Sequence, residues 1–298
     1  MEIFKEEALI LFSTPIYVLI IGLEIILSYL HNKHYYTFKD TLTNIYLSAL
    51  NFSLDIIMRV VCLAVLAYFN QYQLLSIENV YAYWILLFLL QDFAFYWEHR
   101  IDHTSRFFWA VHVTHHSSEK YNLTTGFRSS VFQPMYRFLY FVPIALLGFK
   151  GMDIMFVYAA TQIYGILVHT QYVKKLGFLE SFLVTPSHHR VHHASNIKYL
   201  DKNMGMVLII WDKLFGTFQK EEDETEYEKI KYGLTTNLEQ PHHPTKIVFH
   251  EWKNIVDDVK KPIPFSTKLK YIFNPPGWSH DGSRKTSSEL RKEKGFKN

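Results

Sequence analysis

"HVTHH" at residues 112–116 and "HRVHH" at 189–193 are one pattern, HxxHH, written twice, and "HRIDH" at 99–103 adds a pair at i and i+4. Sixteen histidines are present, and a lone one is ordinarily structural; repetition at fixed spacing is what turns these toward chemistry. On a helix, positions i, i+3 and i+4 share a face, so each HxxHH motif points three imidazoles in nearly one direction. His99, His103, His112, His115, His116, His189, His192 and His193 are more ligands than one metal ion takes. They suit two ions with positions left open for a small molecule, and the motif recurs because two ions need ligands from two separated segments. Neutral imidazole suits Zn, Cu, Fe and Ni, so ligand type alone does not name the metal. Zinc is the natural rival, but its closed structural sites use thiolates, and the HExxH signature is absent because Glu98 precedes His99.

Elements must bring these segments together, and the composition says where. The chain is 298 residues long, 49% hydrophobic and 17% aromatic, with its apolar residues gathered in runs at 9–30, 52–75, 80–97, 131–147 and 154–173. Roughly 20 apolar residues span the hydrocarbon layer as a helix. The expected fold is therefore all-α and integral to the membrane, with four to five spanning or partly spanning helices; four crossings plus one re-entrant helix is an open alternative. His99 and His103 extend directly from the third run. Lys and Arg are denser on the histidine face (Arg100, Arg106, Lys120, Arg128, Lys174, Lys175, Arg190) than in the opposite loops, which makes that face a cytoplasmic, histidine-rich helical cap. Residues 1–260 are expected to form the membrane domain, its first run a retained anchor, and 261–298 a polar basic tail, disordered in part.

The net charge of +3 is spread through the polar stretches, which argues against a nucleic-acid partner. The single cysteine, Cys62, excludes an internal disulfide and any CxxC pair. No GxGxxG fingerprint or P-loop occurs, so electrons for redox chemistry must come from outside. Asp92, Glu98, Glu119, Asp201 and Asn203 are candidates to accept the second N–H of ligand imidazoles, which metal-bound histidines usually require; Glu119, Asp201 and Asn203 are carried as the catalytic candidates. Glu24, inside the first run, also needs a partner.

The segments "DFAFYWEHRIDH", "FWAVHVTHHSSEKYNLTTGFR", "TPSHHRVHH", "DKNMG" and "LIIWDKLFGTFQ" resemble the fatty acid hydroxylase superfamily of integral-membrane di-iron enzymes, sterol desaturases included. "HHSSEKYN" and "TPSHHRVHH" are most similar to its alkylglycerol monooxygenase branch and bacterial relatives of that branch. The resemblance implies that the eight box histidines ligate two iron ions and that His169, in "LVHTQY", is an additional ligand. Met204 stands where tyrosine is common, a departure that touches the pocket and not the ligands. The implied activity is that of an oxidoreductase: O2-dependent hydroxylation of a lipid C–H bond, on an acyl, ether-lipid or sterol substrate. A reductase, cytochrome, ferredoxin or reduced pterin would supply electrons. Desaturation on the same centre, a membrane zinc hydrolase and a non-catalytic metal-binding protein remain as alternatives. The implied location is the inner membrane of a bacterium or the endoplasmic reticulum of a eukaryote.

Overall fold

The computed structural model describes residues 6–236 and 238–296. Helices dominate, and β pairing among these residues is limited to two isolated bridges, Leu183 with Leu208 and Ala194 with Tyr232. Among the described residues, three helices are long and apolar enough to cross a membrane: α1 (Glu6–Leu30), α2 (Phe38–Asn70) and α3 (Val80–Thr104). Their surfaces are inverted relative to a water-soluble bundle. The residues that α1 buries are Glu24 and Ser28, while Leu11, Phe12 and Leu19 stand 70%, 68% and 72% exposed. Such an apolar exterior is stable against lipid and not against water. The chain is a membrane protein.

The run at 131–147 is not one helix. Pro134 and Pro143 interrupt it, leaving two short 3-10 turns, Gln133–Met135 and Arg137–Tyr140, followed by α5 (Val142–Leu146). Arg137 also sits within this run and turns inward to Asp55 of α2 and to the Tyr158 hydroxyl. The last run gives α6 (Gly151–Leu167), whose 17 residues reach only about 25 Å, short of a roughly 30 Å hydrocarbon layer. Cys62, Leu66, Leu87, Phe141, Ile144 and Ile154 form the core where α2, α3, α5 and α6 meet. Cys62 lies in it as a small apolar side chain, against the Met155 sulfur. Of the aromatic residues near the run ends, Tyr29 and Tyr81 are open to lipid, whereas Tyr17 bonds the Ile163 carbonyl and Trp97 packs on Phe215.

Helix α2 starts well before its apolar run. Thr37 caps it, and Asp40, Thr43 and Asn44 of its first turns are buried instead of solvated. Asn44 and Asp40 meet the fully buried Arg128, whose Nη1 lies 2.8 Å from Asn44 Oδ1 and 3.5 Å from Asp40 Oδ1. Ser118 donates to the same Asp40 oxygen at 2.8 Å. Arg128 Nε donates to the Thr114 carbonyl (3.1 Å) and Ser117 Oγ (3.0 Å) at the end of α4 (Arg106–His116). One guanidinium thus ties α2 to the helix that carries the first HxxHH motif.

Beyond the membrane helices lie α4, α7 (Pro186–His192), α8 (Ile210–Phe215), α9 (Pro244–Val259), α10 (Phe265–Phe273) and α11 (Ser287–Glu293). The segment expected to be a partly disordered tail is folded over its described residues. Tyr271 is buried, Asp258 of α9 pairs with Arg106 and Arg284 at 2.7 Å each, and Arg291 donates to the Leu200 carbonyl. The reason is amphipathicity: the apolar residues of α9 and α10 recur at helical spacing, and Thr286 and Glu289 close a capping box that starts α11.

Replacing Arg128 with alanine strands the buried Asp40 carboxylate and is expected to cost roughly 3–5 kcal/mol. Thermal unfolding in detergent measures it. Arg128→Met combined with Asp40→Asn should recover part of the loss, and an Arg128→Ala variant as stable as the parent refutes the clamp.

Candidate metal centre

The nine histidines singled out from the sequence converge in two groups. His99, His103, His112, His116 and His192 form one; His115, His169, His189 and His193 form the other, with the candidate ligand atoms of each group within 4.8 Å of one another. The HxxHH motifs do not each serve one group. His112 and His116, one turn apart, enter the first and His115 enters the second; His192 enters the first, while His189 and His193 enter the second. On a helix, neighbours such as His115 and His116 project about 100° apart, which allows the division. The groups abut, with the His116 and His193 rings stacked at 4.5 Å. His188 is in neither; its Nδ1 lies 3.1 Å from the Leu183 carbonyl and 3.4 Å from the Thr185 backbone nitrogen.

Six of the nine have Nδ1 aimed at a polar partner, and in five of them that partner is a carbonyl or carboxylate oxygen, which fixes the tautomer. His99 donates to the Met204 carbonyl (2.8 Å), His115 to that of Arg128 (3.0 Å), His169 to that of Gly165 (2.7 Å) and His192 to that of Lys202 (3.0 Å). His103 donates to Asp201 Oδ1 (3.2 Å), and His112 faces Ser130 Oγ at 3.3 Å and Asp102 Oδ2 at 3.6 Å. Their Nε2 atoms are left with lone pairs that point inward. Nε2 of His99 and His112 lie 3.1 Å apart, and Nε2 of His103 and His192 are buried with no partner. Facing lone pairs repel, and orphaned buried nitrogens are costly. A cation between them removes both penalties, so this donor set fits bound metal ions, one per group.

Burial, together with the neighbouring imidazoles, holds His112, His116, His169, His189, His192 and His193 well below the ordinary histidine range. Burial likewise brings His115 down to about 4. The rings are neutral at pH 7, the form a metal requires.

The loops that supply the carbonyls are themselves pinned. Asp212 accepts from the backbone N–H groups of Met204 (2.7 Å) and Gly205 (2.8 Å), and Asp92 of α3 accepts from those of Val207 (3.0 Å) and Leu208 (3.1 Å). Asp92 therefore positions the loop and holds no ligand imidazole. Met204 serves through its backbone, so the tyrosine common there is not needed for this bond. Gly126 permits the turn Leu123–Phe127 to approach His169: a Cβ there would stand 3.1 Å from its Nδ1.

The three catalytic candidates separate. Asp201 meets His103; burial opposes its charged form, but the His103 hydrogen bond and the nearby Ser287 and Arg291 of α11 hold its carboxyl below the ordinary range. Asn203 contacts no ligand ring: its amide donates to the carbonyls of His188 (3.0 Å) and Gln219 (2.8 Å), a loop clasp. Glu119 is exposed, without a hydrogen bond or ion pair among the described residues, because the chain turns outward after α4. Glu98 accepts from Gln133 Nε2 at 3.1 Å and touches no ligand ring, while Glu24 accepts from the Tyr36 and Thr170 hydroxyls and the Leu123 N–H. Asp102 was the missed carboxylate. It sits inside "HRIDH", one residue from a ligand candidate, and accepts from Tyr136 (2.7 Å) and Gln133 (3.2 Å). The remaining acceptors are backbone carbonyls, which no residue type announces.

Two cavities flank the histidine layer. One, about 100 Å³, lies among α2, α3 and α6 and reaches His99, His112, His115, His169 and His189, with Phe95 and Ile166 in its wall. The other, about 510 Å³, opens toward α9 and α11 and reaches His103, His116, His192 and His193, with Trp109 and Arg106 in its wall.

Metal analysis of the native protein is expected to give about two ions per chain, one for each histidine group. Chelator-stripped protein should unfold at a lower temperature, and increasingly so on acidification. The unfolded histidines take up protons below about pH 6.5, whereas His115 resists until about 4, so stability is full above that window and is lost as pH falls through it. An unfolding temperature indifferent to metal and to pH between 7 and 5 contradicts the assignment.

Residues 84–217 match the family model described as fatty acid hydroxylase. Alkylglycerol monooxygenase of Homo sapiens is 37% identical over 93% of this chain and 61% of its own length; that of Xenopus tropicalis is 35% identical over 89% and 58%. Ornithine lipid hydroxylase OlsE of Rhizobium tropici is 28% identical over 53% of this chain and 49% of its own. The chain thus spans about three fifths of the alkylglycerol monooxygenases just named. No solved structure matches it. All nine converging histidines fall within the matched segment, so both groups lie in a domain similar to the fatty acid hydroxylase family model.

Proposed function

We propose that this protein is a membrane oxidoreductase that hydroxylates a lipid C–H bond with O2 at a two-iron centre. The observation that carries the proposal is the pair of abutting all-histidine groups, each with inward lone pairs, at the end of a membrane-length helix. The irons would supply O2 binding and the oxidising power for the C–H bond; His99, His103, His112, His116 and His192 would hold one, and His115, His169, His189 and His193 the other. The reaction balances as RH, O2, two electrons and two protons giving ROH and water.

The chain's own residues supply position and exclusion. The Nδ1 hydrogen bonds keep the imidazoles neutral and aimed, and Asp201 stands behind His103 to stabilise a ligand ring that acquires positive character. A lipid chain would approach the centre through the cavity among α2, α3 and α6, where Phe95 and Ile166 stand beside Asn51, Gln133 and Gln162. Electrons come from a separate reductase, cytochrome, ferredoxin or reduced pterin, and the polar-side cavity is the place for that approach. Alkylglycerol, the substrate in the relatives' name, makes a glycerol ether lipid the first substrate to try.

The histidine face is the cytoplasmic one on the Lys and Arg asymmetry. Ser118 is buried against Asp40, so the exposed neighbour Glu119 is the place to test this. In a Cys62→Ala background, Glu119→Cys should resist an impermeant thiol reagent in intact cells and react after lysis; labelling of intact cells reverses the topology.

In 18O2 with a reductant, a glycerol ether lipid should gain the heavy atom in its product. Oxygen consumption without label in the lipid identifies a desaturase instead. Label that comes only from water, with exchange controlled, identifies a hydrolase and removes the oxygenase reading.

A further inference from the structure

Helices α9 and α10 bury one apolar face and expose another. Ile247, Val248 and Ile255 point inward, whereas Phe249 and Val256 of α9 stand 49% and 44% exposed. On α10, Phe265, Leu269 and Phe273 recur every four residues and are 74%, 40% and 54% exposed. Spacing of i, i+4, i+8 lays them along one side of the helix. A contiguous apolar stripe on a polar cap marks a contact surface, unlike single exposed apolar residues.

The stripe is continuous with the lipid-facing part of the molecule. Phe273 lies 6.1 Å from Phe107, which contacts Phe108 at 5.3 Å, which contacts Tyr136 at 5.0 Å, ring centre to ring centre. Tyr136 lies between Met135 and Leu139, both more than half exposed in the broken apolar run. Phe249 lies 5.8 Å from Phe132 of that same run. The charges agree. Glu251, Asp257 and Asp258 are each paired within the protein, but Lys246, Lys260, Lys268 and Lys270 have no carboxylate partner among the described residues.

We infer that α9 and α10 lie in the membrane interface, with Phe265, Leu269 and Phe273 dipped into the lipid and the unpaired lysines on its anionic headgroups. Amphipathic helices with large apolar side chains and flanking lysines adopt this position, held by buried apolar area and by attraction to negative lipid. The occupant of the stripe is the bilayer that holds α1, α2 and α3. This placement does not depend on which reaction the histidine centre performs.

The test uses the full chain, metal-loaded, in proteoliposomes of phosphatidylcholine and phosphatidylglycerol. A polarity-sensitive fluorophore is attached at Leu269→Cys, with Cys62 replaced by alanine, and separately at Glu228→Cys, an exposed site that pairs with Lys231. At 269 the emission should shift to shorter wavelength and be quenched several-fold by a bilayer-borne nitroxide, while at 228 aqueous iodide should quench instead. Omitting phosphatidylglycerol should weaken the nitroxide effect at 269. Iodide quenching at 269 equal to that at 228 overturns the inference, since the stripe is then in water. Protection at 269 from both quenchers also overturns it, because a second protein surface then covers the stripe.

Discussion

Imidazole lone pairs do not attract one another. Nine rings crowded into two touching groups, with several Nε2 atoms facing each other near 3 Å, form an arrangement that must be imposed from outside. The means is the other nitrogen of each ring. Wherever Nδ1 is tied to a carbonyl or a carboxylate, the proton is committed there and the Nε2 lone pair has to face inward. Much of the cap, loops and polar contacts alike, is explained by the need to present those acceptors at the right places.

That requirement accounts for polar groups found deep in a membrane protein. Asp92 is a carboxylate within an apolar helix, an expensive position, and it is satisfied by two backbone N–H groups of the loop whose Met204 carbonyl holds His99 and by the Trp211 indole (2.9 Å) of α8. Arg128 offers its guanidinium to α2 and α4 while its own carbonyl holds His115, so one residue sets both the packing of a helix and the aim of a ligand candidate. Asp201 holds His103 and is itself held by α11. The tail helix reaches the centre through that single carboxylate.

How much of this could be read from sequence follows from what kind of group does each task. The eight box histidines were legible because side chains at i, i+3 and i+4 repeat, and His169 only because of the family resemblance. The division of each box between two groups was not, since spacing gives shared faces and not the roughly 100° that separates adjacent residues. Asp92 and Asn203 were noticed for their residue type but assigned the wrong neighbour: both hold backbone. Carbonyls of Met204, Lys202 and Arg128 carry no residue signature at all. The break in the fourth run was missed although Pro134 and Pro143 mark it, and α11 was missed although Thr286 and Glu289 form its capping box; average polarity concealed the latter.

Sharing each HxxHH box between both groups has a mechanical consequence. A shift of α4 moves His112 and His116 in one group and His115 in the other, and a shift of α7 does the same through His192 against His189 and His193 at its end. Displacing either helix therefore disturbs both groups at once, which couples their geometry. The cavities extend the argument. One lies among membrane helices and the other under the polar cap, and the histidine layer stands between them. In the reaction proposed above, substrate and electron donor would approach the histidine layer from opposite sides.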